Sequence, residues 1–314
     1  MEKNILIVGG GVMGCGIAAV SALQGNRTLV FEQDAAARET VTERAWDRLG
    51  ELTDYNLCKK AEAEAAKDLI SIVDTLEEGC KDCSLVIEAI FENLEMKQDL
   101  FAKLDGLLDP SVPILSNTSG LRISDIAAKM KHPERALTAH FWLPAHLVPL
   151  VEVVIGDKSN PALAEKISEM LKAWGKAPVI VKRDLPGQLA NRIFQAIIRE
   201  AINIVEMGLA TPEDVDTAIK MGMALRFPVW GPLEHVDAVG FDICSSVQNT
   251  VLAEISARQD ASPLFKENID KGNMGYKTGK GFYDWSKKDM EALVQRRNDF
   301  IVHALHKIRE EGAV

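Results

Sequence analysis

An excess of basic charge is missing from this chain of 314 residues. Its 36 Lys and Arg face 46 Asp and Glu, for a formal net charge of −10. That balance argues against nucleic acid as a partner. It does not bear on a small anionic substrate, because charge within a cleft can oppose the overall sign. Cysteine is sparse and odd in number: Cys15, Cys58, Cys80, Cys83 and Cys244. Irregular spacing and an odd count exclude a disulfide framework. Cys80-Lys81-Asp82-Cys83 has the CxxC spacing but no second cysteine or histidine pair to complete a zinc site, so no metal is expected. No apolar run is long enough to cross a membrane, and none is expected as a partner. The first residues, MEKNILIVGG, read as an opening strand and not as a signal peptide, which makes a cytoplasmic location the expectation. Repeats, low-complexity segments and long flexible linkers are also missing.

The length suits two domains. Asn4 to Gly9 is a short apolar strand running into Gly9-Gly10-Gly11-Val12-Met13-Gly14 and then a helical stretch to Gln24. This is GxGxxG between a strand and a helix. Gly9 permits the tight turn, Gly11 admits a pyrophosphate close to the backbone, and Gly14 lets helix and strand pack. The amides around Val12 and Met13 at the helix start can meet phosphate oxygens. A second strand, Arg27 to Glu32, ends in an acid that can hold both ribose hydroxyls and repel a 2′-phosphate. With Gln33 and Asp34 next, and no arginine close behind, the expected cofactor is NAD.

Strand and helix patterns then alternate. SLVIEAI (84–90) and PILSNT (113–118) are apolar runs of parallel-strand type, the second ending in small polar residues that face a cofactor crevice in such sheets. Asn117, Thr118 and Ser119 are candidates on that ground. Ala136–Phe141, Leu150–Ile155 and Ala177–Lys182 are further strands, and after Asp184-Leu185-Pro186-Gly187 only helical patterns remain. The expected fold is an α/β Rossmann domain with a mostly parallel doubly wound sheet (residues 1–183), followed by an all-α domain (184–314).

The stretch Thr138 to Gly156 carries His140 in an apolar setting and Glu152 inside LVEVVI. A carboxylate in an apolar strand needs a partner, and a histidine that takes a proton gains from a carboxylate on its far nitrogen. The two suggest a dyad. On the residues alone, a hydrogen-bonded core histidine accounts for His140 better than a catalytic one does, and a structural ion pair accounts for Glu152 at least as well as catalysis.

Taken together, GGGVMG, VIEAIFENLEMK, LSNTSGL, HF-x-x-P followed by LVEV, PGQLANR and GYKTGKGFYDW resemble the 3-hydroxyacyl-CoA dehydrogenases, including 3-hydroxybutyryl-CoA dehydrogenases, over nearly the whole chain. The resemblance implies an NAD-dependent oxidation of a 3-hydroxyl. In it, His140 is the base, Glu152 its orienting carboxylate, and Ser119 and Asn191 the groups that bind the substrate oxygen, Asn191 reaching from the helical domain. It places Glu92, Lys97 and Asn117 near the nicotinamide half of the cofactor, and implies a homodimer through the C-terminal domain. Where acyl-CoA enzymes read HFFNP, with a lysine before LVEV, this chain has Leu143 and Pro149. There it looks more like relatives acting on small free hydroxy acids: carnitine dehydrogenase, gulonate dehydrogenase with lambda-crystallin, and a pyridine-carboxylate dehydrogenase. ALRFPVWGP (224–232) resembles the gulonate pattern and makes Arg226 a candidate clamp for a substrate carboxylate. The expected substrate is therefore a small hydroxy acid or a short 3-hydroxyacyl-CoA. A non-catalytic crystallin-like protein and an aldehyde or imine oxidoreductase on the same scaffold are the alternatives.

Overall fold

The computed structural model describes residues 4–311. The chain divides into two compact units, the first ending at Asn191 and the second beginning at Arg192. The first unit therefore runs past the boundary expected at 183. Hydrogen bonds explain the difference: Asp184 Oδ2 accepts from the Ser124 amide at 2.8 Å, and Gln188 Nε2 donates to the Thr118 carbonyl at 2.8 Å. Asn191, on the first turn of the helix Ala190–Glu206, is the last residue of this compact unit.

In chain order the first unit runs β1 (Asn4–Val8), α1 (Val12–Leu23), β2 (Thr28–Phe31), α2 (Ala35–Glu39), α3 (Val41–Asp54), α4 (Lys60–Lys67), β3 (Ile70–Val73), α5 (Leu76–Gly79), β4 (Cys83–Glu88), α6 (Leu94–Leu107), β5 (Ile114–Ser116), α7 (Ile123–Ile126), β6 (Ala136–Phe141), β7 (Leu150–Ile155), α8 (Pro161–Ala173) and β8 (Ala177–Val181). Local chemistry sets the helix starts. The Asp34, Asn93 and Asn160 side chains accept from amides of the first turns of α2, α6 and α8. The eight strands form one sheet in the order β3-β2-β1-β4-β5-β6-β7-β8. All pairings are parallel except β6 with β7.

Strand alternation sends Ile5 and Ile7 of β1 into one core, with α1, α3 and α8, and Leu6 and Val8 into the other, with α6 and α7. Strand order reverses between β1 and β4, which opens a crevice at their carboxyl ends. Gly9, Ala89 and Asn117 lie just beyond the ends of β1, β4 and β5, and His140 stands near the end of β6 on the same edge of the sheet.

The second unit is helical. It holds most of α9 (Ala190–Glu206), then α10 (Pro212–Ala218) with a π-helical turn after it (Ile219–Met223), α11 (Pro232–Val239), α12 (Phe241–Val251), α13 (Pro263–Asp270) and α14 (Met290–Glu310). Glu206 ties α9 to Arg258 at 3.0 Å and to Ser262 at 2.7 Å. Tyr283, from the GYKTGKGFYDW segment, donates to Asp216 of α10 at 2.9 Å, and burial with that bond pushes its phenol up to about 12. Among the described residues no helix is long and apolar enough to cross a membrane.

Candidate active site

The glycine turn shapes one end of the crevice. Gly9 has φ +106, and a Cβ there would lie 2.6 Å from the Ala89 carbonyl oxygen. A Cβ on Gly14 would lie 1.8 Å from the Gly9 carbonyl oxygen, so only glycine lets α1 start this close to β1. Gly11 faces open space, caps α1 without a side-chain bond, and leaves the amides of the first turn, Val12 to Gly14, to an outside acceptor. Glu32, just past β2, accepts from the Gly10 amide at 2.8 Å and the Asp34 amide at 3.0 Å. A cradle that a side chain would fill, beside a carboxylate at the next strand end, fits a dinucleotide.

A buried ionic network lies beneath the ends of β4 and β5. Glu88, absent from the expected residues, is fully buried and accepts from Lys97 Nζ at 2.7 Å, Ser116 Oγ at 2.6 Å and the Ile90 amide at 2.7 Å. Lys97 is itself buried, and its ammonium also lies 3.3 Å from Glu92. Glu92 accepts from the Thr118 hydroxyl at 2.6 Å and the amides of Ser119 and Gly120 at 3.1 and 3.0 Å. Burial raises the affinity of Glu92 for a proton, but the Thr118 bond and Lys97 outweigh it and hold the carboxyl below its ordinary range. The result is a fixed 118–120 turn that presents Ser119. Asn117 accepts from the Phe141 amide at 2.8 Å, which locks that turn to the end of β6.

His140 and Glu152 are direct cross-strand partners in the antiparallel β6–β7 pair. Nδ1 of His140 lies 2.7 Å from Oε2 of Glu152. Glu152 is fully buried and takes three further bonds: Trp142 Nε1 to Oε2 at 3.0 Å, and the Leu189 and Ala190 amides to Oε1 at 2.9 and 2.8 Å. Burial alone would raise its pKa; the bonds from His140, Trp142 and the Leu189 and Ala190 amides win and bring it down to about 2. An ionised Glu152 accepts from Nδ1–H, which leaves Nε2 of His140 as the basic nitrogen. Nε2 makes no hydrogen bond among the described residues. Asn191 Nδ2 donates to the Ser119 carbonyl at 3.4 Å, so one short segment, 188–191, ties both the Ser119 turn and Glu152.

Residues 142–149 are firmly held. Buried Lys176 donates to the carbonyls of Ala145 and Val148 at 2.5 and 3.0 Å. His146 bonds Glu51 of α3 at 2.6 Å, and burial lowers its pKa against the pull of that carboxylate. Leu143 projects outward, 54% exposed.

The first unit thus brings together Ser119, His140, Glu152 and Asn191, with Glu92, Lys97 and Asn117 supporting them and the Gly9–Gly14 cradle and Glu32 farther along the same sheet edge. Arg226 lies in the second unit. It is exposed, and its guanidinium has no partner among the described residues.

The model of the 3-hydroxyacyl-CoA dehydrogenase NAD binding domain matches residues 4–185, and that of the C-terminal domain matches 187–285. The chain belongs to the 3-hydroxyacyl-CoA dehydrogenase family. As a member of it, the protein is an NAD-dependent oxidoreductase acting on CH–OH groups. The chain is 33% identical over 316 residues to 5-formyl-3-hydroxy-2-methylpyridine 4-carboxylate 5-dehydrogenase of Mesorhizobium japonicum, covering 99% of each chain. A crystal structure of an enzyme of that name, described as an NAD+ dependent dismutase, superimposes with a TM-score of 0.90 at 31% identity, again over 99% of both chains. (S)-3-hydroxybutyryl-CoA dehydrogenase from Ralstonia eutropha gives 0.75 at 30% identity, over 91% of this chain and 100% of that one.

Within this family assignment, sequence reasoning missed Glu88, Trp142, Gln188 and the amides of Leu189 and Ala190. The signal for Trp142 was present: it stands two residues from His140, and in extended chain i and i+2 share a side. Gln188 gave none, because its importance comes from a left-handed backbone (φ +54) after Gly187 (φ +77).

Proposed function

We propose that this dehydrogenase oxidises the hydroxyl of a small, carboxylate-bearing hydroxy acid, with His140 as base. The observation that carries the reading is the 2.7 Å bond from His140 Nδ1 to an ionised, buried Glu152, with Nε2 left unbonded. Nε2 takes the hydroxyl proton, and Glu152 stabilises the imidazolium that forms. Ser119, on a turn fixed by Glu92, and the Asn191 amide bind the substrate oxygen as it becomes a carbonyl. Lys97 acts through Glu92, and Asn117 by fixing the turn against β6. Gly9, Gly11, Val12, Met13, Gly14 and Glu32 hold NAD, which supplies the hydride acceptor. The substrate class is supported by the end-to-end likeness to the pyridine carboxylate enzyme and by Leu143 and Pro149. Arg226 is assigned to the substrate carboxylate on the resemblance of its motif. The exposed apolar side chains of the second unit, Leu233 and Phe241 among them, support a homodimer through that unit.

A second reading follows from the name of that relative. A hydrated aldehyde also presents a CH–OH group, and the same base serves it. Purified enzyme with NAD is assayed for NADH formation on free 3-hydroxy acids, aromatic aldehyde-carboxylates and 3-hydroxybutyryl-CoA. We expect turnover of a free acid or aldehyde acid that is lost in His140→Asn and has a raised KM in Arg226→Ala. Efficient turnover of the CoA ester, insensitive to Arg226→Ala, refutes the substrate assignment.

A further inference from the structure

We propose that Trp142 is a positioning residue that tunes the basicity of the dyad through its indole N–H. Trp142 Nε1 donates to Oε2 of Glu152 at 3.0 Å, and this is the oxygen that holds His140 Nδ1 at 2.7 Å. The indole also leans on the imidazole, with ring centroids 5.6 Å apart and planes tilted by 51°. It therefore fixes the ring that carries the base and competes for the oxygen that steadies it.

A carboxylate oxygen that accepts from two donors divides its negative charge between them. The charge left to stabilise an imidazolium is smaller than it would be with His140 alone on Oε2. The second oxygen is occupied by the Leu189 and Ala190 amides, so Glu152 cannot turn to offer His140 a less engaged oxygen. The effect of the indole is thus to favour neutral His140, the form able to accept a proton.

Of the ionisable groups on the sheet, on α8 and before α9, none takes this role; the first turn of α9, which binds Glu152, carries Arg192. β8 (APVIV) contributes none. Glu165, Lys166, Glu169 and Lys172 of α8 are exposed, and α8 packs on the sheet face that carries Val151 and Val153, opposite Glu152. Glu88, Glu92 and Lys97 at the neighbouring strand ends are bonded to one another. Asp184, in the segment before α9, is turned to Ser124 and Arg122.

The proposal rests on His140 being the base, but its test needs no substrate. The Cε1–H resonance of His140 is titrated by NMR in the NAD-bound protein, assigned among six histidines by its loss in His140→Asn. Two variants are compared with the parent. Trp142→Phe removes the indole. Benzothienylalanine at 142 keeps the bicyclic shape and removes only the N–H, so it separates the hydrogen bond from packing. Both are expected to raise the titration midpoint by about half a unit or more, because the undivided Oε2 charge holds the imidazolium more strongly. A folded benzothienylalanine protein whose midpoint stays or falls overturns the proposal and leaves Trp142 a packing residue. If His140 proves not to be the base, the midpoint still moves while His140→Asn retains turnover, which tells the two failures apart.

Discussion

Replacing Glu152 with glutamine tests the centre of the site most directly. The carboxylate receives four donors and is fully buried, and its pKa falls from 4.5 to about 2. That depression corresponds to about 3 kcal/mol of stability carried by the ionised form. The sign follows from the lowered folded-state value. The contribution is complete above the unfolded pKa near 4.5 and is lost as pH falls through about 2. Glutamine keeps the shape but turns one oxygen into an NH2 that must face donors, either the His140 and Trp142 pair or the Leu189 and Ala190 amides. We therefore expect Glu152→Gln to lose about 3 kcal/mol in urea unfolding at neutral pH. Between pH 5 and 2, the variant should lack the part of the acid-induced weakening that Glu152 supplies to the parent. If the NH2 faces His140, it donates to Nδ1 and leaves the proton on Nε2, the wrong tautomer for a base. Turnover then falls by about 10³-fold while NADH binding is kept. A variant as stable as the parent, with the same acid dependence, would refute the reasoning from four converging donors.

The Lys97 ammonium is buried between Glu88 and Glu92. Lys97→Met should cost about 3–5 kcal/mol because it strands the Glu88 charge, and Lys97→Met with Glu88→Gln should recover most of it. A loss under about 1 kcal/mol in urea unfolding would count against this account. For the second unit, sedimentation equilibrium should show a dimer in the parent that weakens when Leu233 and Phe241 are changed together to serine. A monomeric parent at micromolar concentration would contradict the homodimer.

The fold was legible because its strands are short apolar runs separated by glycine or polar turns. Ala136–Phe141 and Leu150–Ile155 end where the sequence suggested. The direction of β7 was not legible, since a buried strand reads the same whether its neighbour runs parallel or antiparallel. The compact first unit extends eight residues past 183 because Asp184 and Gln188 bond to Ser124 and Thr118, some sixty to seventy positions away in the chain. In the site, His140 and Glu152 stood out as polar residues in apolar strands. Lys97 was marked only by the family resemblance; its local pattern is that of a surface lysine on an amphipathic helix, because its burial is set by the contact with Glu88. The same holds for His146, whose partner Glu51 lies on a helix that otherwise shows a charged face.

The antiparallel β6–β7 pair has a consequence for how such an enzyme can diversify. Cross-strand register, and not the connecting chain, places His140 opposite Glu152. On the proposed mechanism the proton transfer is therefore encoded in the rungs of the ladder, with Trp142 bonded to Glu152, while the seven residues from Leu143 to Pro149 form a span anchored at its own points, Lys176 and Glu51. Exposed positions in that span, Leu143 first, can be exchanged between relatives as a cassette. The molecule admitted would change, and the proton-transfer apparatus would stay where it is.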